Sequence, residues 1–309
     1  MKKILISLLV LLIIGSTASA LIIIDFGTNN QDNISTSSPD TNQTETNELN
    51  IDDHDQESDN ENLSQELEEE IEEETENFGD AMKDVFIDAL TFFKKDTHIV
   101  AIGDSLTQGV GDETDNGGYV GVLEEHFDNE EAKVTIDNFG KRGNRTDQLL
   151  KRLENEEIVT SIEDADIVLI TIGANDIMKV LKDNFIDLTE EPFIEERGPY
   201  KDRLGQIINR VFEIQPDTEI YLLGFFNPFE QYFSEIEELE VILTRWNNES
   251  RMIANNYDKV TFIPMQDIFQ NRSENMFAED NFHPNRKGYE LMAKRVWTYL
   301  QNNENLTTN

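Results

Sequence analysis

No cysteine occurs among the 309 residues. Disulfides, thiolate metal sites and cysteine-linked lipid anchors are therefore excluded. Positive charge is also scarce, with 25 Lys and Arg against 64 Asp and Glu. Residues 25 to 80 hold 20 of those acids and no Lys or Arg. Removing them, with Lys2 and Lys3, from the net charge of −39 leaves −21 for residues 81 to 309. A field of that sign repels nucleic acid and anionic membrane surfaces, so no nucleic-acid partner is expected. It favours solubility and suits a salty exterior.

Long apolar runs are limited to the N-terminus. Lys2 and Lys3 precede the run Ile4 to Ile14, followed by Gly15-Ser16-Thr17-Ala18-Ser19-Ala20. That order of charged, apolar and small residues reads as a signal peptide. Ile4 to Ile24 is also a stretch of 21 uncharged residues, enough to span a bilayer at roughly 20. The segment 1–24 is thus a cleaved signal or an anchor. Both place the remaining chain outside the cytoplasm, with membrane contact through this segment only. Residues 25–61 are Asn, Ser, Thr, Asp, Glu and Gln with few apolar positions, and are expected to form a disordered acidic linker. From 62 to 95, Leu63, Leu67, Ile71, Phe78, Met82, Phe86, Leu90 and Phe93 recur at helical intervals. An amphipathic helix is expected there, packed on the domain, serving as a stalk or binding a partner.

From residue 96 to about 303 short apolar runs alternate with helical patterns, the signature of an α/β domain. Strands are expected at His98–Ile102, Val134–Asn138, Ile167–Ile172, Glu219–Gly224 and Val260–Pro264. Helices are expected at Tyr119–Phe127, Asp147–Leu153, Tyr200–Ile214, Ile236–Asn256 and Arg286–Leu300. The strands are continuously apolar, as when both faces of a parallel sheet are covered. Right-handed crossovers then give a three-layer α/β/α sandwich.

Histidine is rare too. Of the four, only His283 has an acid three residues before it, Asp280, in a loop just before a helix. In parallel sheets, sites form at the carboxyl ends of strands. Three polar clusters fall there: Gly103-Asp104-Ser105, Gly140-Lys141-Arg142-Gly143-Asn144 and Gly173-Ala174-Asn175-Asp176. Ser105 can be a nucleophile, His283 its base, and Asp280 the acid that holds the imidazole tautomer. The backbone N–H groups of Ser105 and Gly143 and the side-chain amide of Asn175 can donate to a developing oxyanion. Taken singly, each of these is equally an ordinary turn or cap residue.

Four blocks in order carry a resemblance. They are Ala101-Ile102-Gly103-Asp104-Ser105-Leu106-Thr107, Asn138 to Thr146, Gly173 to Asp176, and Asp280-Asn281-Phe282-His283-Pro284. From Thr97 to Leu300 the chain resembles the SGNH (GDSL) hydrolases, esterases and lipases, with no departure in the blocks. The resemblance implies a flavodoxin-like sheet of order 2-1-3-4-5 and no metal or organic cofactor. It also implies Ser105 as nucleophile, Gly143 and Asn175 as oxyanion donors, and Asp280 with His283 on one loop. The expected function is an extracytoplasmic serine esterase or lipase acting through an acyl-enzyme. A cell-wall glycan O-deacetylase and a non-catalytic wall-binding module are the alternatives.

Two further segments bear on substrate. Phe225, Phe226 and Phe229, with Tyr232 and Phe233, follow the fourth strand and are expected to line an acyl pocket, form a lid, or pack in the core. Asp176 to Gly198 reads as a long insertion whose Met178, Leu181, Phe185, Ile186 and Phe193 can join the same wall. Asp112 to Gly117 has oxygen ligands without calcium-loop spacing and reads as an exposed turn.

Overall fold

The computed structural model describes residues 96–301, except 130–133, 185, 187–188, 229–236, 271 and 273. The signal or anchor (1–24), the linker (25–61) and the helical segment (62–95) lie outside the described residues. Among the described residues no helix is long and apolar enough to cross a membrane.

The apolar runs form five strands: β1 (Thr97–Gly103), β2 (Val134–Gly140), β3 (Ile167–Thr171), β4 (Glu219–Leu223) and β5 (Val260–Ile263). All neighbours pair in parallel, in the order β2-β1-β3-β4-β5. This is the order expected. β3 and β4 are buried throughout, because both faces are covered. β2 is an edge strand with Asp137 and Asn138 exposed, so its apolar run is broken.

Eight helices among the described residues connect and cover the sheet. They are α1 (Ser105–Gln108), α2 (Gly118–Asn129), α3 (Thr146–Arg152), α4 (Glu156–Glu163), α5 (Ala174–Asp183), α6 (Glu191–Ile214), α7 (Glu237–Ala254) and α8 (Arg286–Gln301). Alternate strand residues point to opposite faces. Val100, Ile102, Val168, Ile170, Ile220 and Leu222 pack with α3 to α7 in one apolar core. On the other side α2 and α8 pack together, with Phe127 edge-on to Trp297 at 5.4 Å.

Two helical stretches correct the sequence reading. The expected insertion from Asp176 to Gly198 is largely α5 and the start of α6. α6 begins at Glu191, not Tyr200, and carries Pro199 inside it. Its buried Phe193, Tyr200, Leu204, Ile207, Ile208 and Val211 form one continuous stripe. Packing of that stripe outweighs the backbone hydrogen bond that Pro199 forfeits. Pro192 at its first turn fits a helix start. The short α4 was not expected. It is capped by Asn155, whose side chain accepts from the Glu157 N–H at 2.9 Å.

Candidate active site

β1 delivers Ser105 through a sharp turn. A Cβ on Gly103 would lie 2.2 Å from the Thr171 carbonyl oxygen, so only glycine lets β1 end this close to β3. Asp104 then caps α1, its Oδ1 accepting from the Leu106 N–H and the Thr171 hydroxyl at 3.0 and 3.1 Å. Burial, opposed by those hydrogen bonds, pushes the Asp104 carboxyl up to about 7. Ser105 begins the helix, where its N–H has no intrahelical acceptor.

The loop before α8 brings His283 to this serine. His283 Nε2 lies 2.9 Å from Ser105 Oγ, and Nδ1 lies 2.5 Å from Asp280 Oδ2. Asp280 Oδ1 also accepts the N–H groups of Phe282 and His283. Burial works to raise the Asp280 carboxyl, but the His283 hydrogen bond and charge and both backbone donors bring it down to about 2. An ionised carboxylate only accepts, so Nδ1 carries the proton and Nε2 of a neutral ring is free to accept from Ser105. Of the other histidines, His98 contacts Asp137 and His126 contacts the Val122 carbonyl. His54 lies outside the described residues.

The loop after β2 is tied to both ends of the segment that carries the serine. The Lys141 N–H donates to the Gly103 carbonyl at 3.1 Å, and the Arg142 N–H to Gln108 Oε1 at 2.6 Å. Gly143 has φ of 78°, a left-handed conformation that favours glycine, and a Cβ there would meet nothing within 4 Å. Asn175, in the first turn of α5, donates from Nδ2 to the Asn144 carbonyl at 3.0 Å. Only one amide hydrogen is used in that bond. The structure therefore brings Ser105, His283 and Asp280 into one hydrogen-bonded series. Gly143 stands on the loop after β2 and Asn175 at the start of α5.

Several positioning residues escaped the sequence reading. Arg152 donates to the Phe139 carbonyl at 2.8 Å, Asn144 Oδ1 at 3.1 Å and the Gly103 carbonyl at 3.4 Å, tying three loop ends together. Asp176 is buried and accepts from the Thr146 N–H and hydroxyl and from Arg203. Burial raises its carboxyl despite those donors. These partners are 27 to 30 residues apart, so no local spacing announces them. The segment 112–117 is a turn with Glu113, Thr114 and Asp115 exposed, as read, but Asp112 departs from that reading. It is buried, accepts from Thr114 and from the Gly118 N–H, and lies 3.6 Å from Arg286.

Beside Ser105 lies a cavity that opens to solvent. Ile177, Met178, Phe225, Phe226, Leu243 and Phe282 contribute its apolar wall. Phe225 and Phe226 serve two of the three readings made of them, pocket and core. They line the cavity and are packed, Phe226 lying 4.2 Å from the Phe269 ring centroid. Phe229, Tyr232, Phe233 and Phe185 lie outside the described residues. Leu181 and Phe193 belong to the core instead, and Ile186 is exposed.

Residues 101–291 match the model of the GDSL-like lipase/acylhydrolase family. The chain belongs to this family. It is 40% identical over 216 residues to the uncharacterized protein YpmR of Bacillus subtilis (strain 168), covering 67% of this chain and 84% of that one. It is 25% identical over 203 residues to the spore germination lipase LipC of Bacillus licheniformis, covering 63% and 92%. The crystal structure of the lipase Lip_vut3 from a goat rumen metagenome superposes with a TM-score of 0.60, covering 68% of this chain and 99% of that one. At 23% identity that last likeness is one of fold. As a GDSL-like lipase/acylhydrolase, the chain is a carboxylic ester hydrolase.

Proposed function

We propose that this GDSL hydrolase is an extracytoplasmic serine esterase acting on esters with an apolar acyl chain. The reading rests on one juxtaposition: the hydrogen-bonded series Ser105–His283–Asp280 opens beside an apolar cavity. Ser105 Oγ attacks the acyl carbonyl while His283 Nε2 takes its proton. The oxyanion is met by the N–H groups of Ser105 and Gly143 and by the second hydrogen of the Asn175 amide. His283 then protonates the departing alcohol. Water, deprotonated by the same imidazole, cleaves the acyl-enzyme, and Asp280 stabilises the imidazolium in both halves. The acyl chain runs along Met178, Phe225 and Leu243, where burying apolar surface supplies binding energy. The location is supported by the Lys2-Lys3 start and the apolar run that follows.

The test is hydrolysis of p-nitrophenyl esters from acetate to palmitate by the full chain. An apolar acyl site gives a kcat/KM that rises by about three- to fourfold per methylene until the cavity is filled. Activity confined to acetate contradicts this reading and favours the glycan O-deacetylase.

A further inference from the structure

The two sides of Ser105 differ in character. On the β3 and β4 side lies the apolar cavity, walled by α5, the β4 loop and α7. On the β2 side lies the loop Lys141-Arg142-Gly143. The chain is acidic, and residues 81–309 carry −21, so the net field works against any anionic ligand. Attraction for an anion at the site must then come from local side chains.

Lys141 and Arg142 are the cations of that loop. Both side chains are exposed, and neither makes an ion pair or hydrogen bond among the described residues. Their neighbour Arg145 differs, since its guanidinium is bidentate to Asp147 at 3.0 Å on both oxygens. The backbone under the two cations is fixed. Lys141 N–H is bonded to the last residue of β1, Arg142 N–H to the end of α1, and Asn144 N–H to the Lys141 carbonyl at 3.1 Å. Two uncommitted cations are thus mounted beside the nucleophile helix, immediately before Gly143.

We infer that the alcohol half of the natural ester carries an oxyanion, received by Lys141 and Arg142. This rests on the esterase reading and deepens it. With the acyl chain on the α5–α7 side, the alcohol half projects towards β2, where a guanidinium and an ammonium match phosphate or carboxylate oxygens. The phosphate of a lipid head group and the carboxylate of an acidic glycan share this chemistry.

The experiment compares three soluble octanoyl esters: 1-octanoylglycerol, its 3-phosphate, and O-octanoyl glycerate. The full chain and its K141Q/R142Q variant are assayed for kcat and KM. Two exposed charge contacts predict a kcat/KM about tenfold higher for an anionic ester than for the neutral one. The difference lies in KM and shrinks between ~50 and ~500 mM salt. It collapses towards one in K141Q/R142Q and falls below one in K141E/R142E. Preference for the phosphate alone assigns a head group, and preference for the glycerate an acidic glycan. Equal use of all three by the wild type overturns the inference but leaves the esterase reading standing. So does an anionic preference that survives in K141Q/R142Q. No turnover of any ester removes the esterase reading and this one with it.

Discussion

The Asn175 side chain donates to the main-chain carbonyl of Asn144 at 3.0 Å, joining the first turn of α5 to the loop after β2. That bond fixes the amide plane and so aims its remaining hydrogen. In the proposed mechanism Asn175→Ala removes one oxyanion donor, and it loosens the loop that carries Gly143. The expected loss in kcat is on the order of 100- to 1000-fold, with KM changing less. Steady-state kinetics on a p-nitrophenyl ester checks it, and an unchanged kcat takes Asn175 out of the site.

Arg152 acts at one remove. Its guanidinium holds the Phe139 and Gly103 carbonyls and the Asn144 side chain. Arg152→Met keeps the stem and removes the donors. A drop of ~10- to ~100-fold in kcat is expected from misplacing the loop that carries Gly143. Stability should fall by roughly 2–4 kcal/mol, since partly buried acceptors lose their partner. Arg152→Lys, with one donor centre in place of a planar fork, should recover stability better than turnover. Equal recovery of both would make Arg152 a purely structural residue.

Asp104 ties stability to pH. Burial holds its folded-state value near 7 against an unfolded value near 4. The folded protein thus binds a proton that the unfolded chain has released between those values. The contribution is fully present below pH ~4 and is lost as pH rises through ~7. Asp104→Asn keeps an acceptor for Leu106 and Thr171 and abolishes the titration. The stability of wild type relative to Asp104→Asn should decline by up to about 4 kcal/mol from pH ~4 to ~7.5. Urea denaturation of both proteins across that range measures it, and parallel stability curves would contradict it.

Met178 lines the cavity proposed to hold the acyl chain. Met178→Trp fills part of the cavity beside Ile177 and Phe226. The rise of kcat/KM with acyl length should end at a shorter chain, while acetate ester turnover changes little. An unaltered chain-length profile would place the acyl chain elsewhere.

Much of this was legible in the sequence because the relevant signals are local. Ser105 sits one residue after a glycine-aspartate turn, and Asp280 and His283 share one loop. The five strands read as apolar runs, and their order followed from the family resemblance. What failed had opposing or distant causes. The helix expected from Tyr200 starts at Glu191 instead, because the stripe from Phe193 to Val211 carries α6 through Pro199. The exposed face of α4 hid its buried Ile158, Ser161 and Ile162. Arg152, Asp176 and Arg203 act through partners that only the fold brings together. Phe225 is both wall and core, a dual use no pattern separates.

The most direct test asks which atom attacks the ester. The full chain and its Ser105→Ala and His283→Ala forms are treated with an alkyl fluorophosphonate, then digested and weighed by mass spectrometry. The account predicts a single phosphonyl adduct on the peptide containing Ser105, absent in Ser105→Ala and much slower to form in His283→Ala. An adduct on another residue, or ester hydrolysis undiminished in Ser105→Ala, would contradict it.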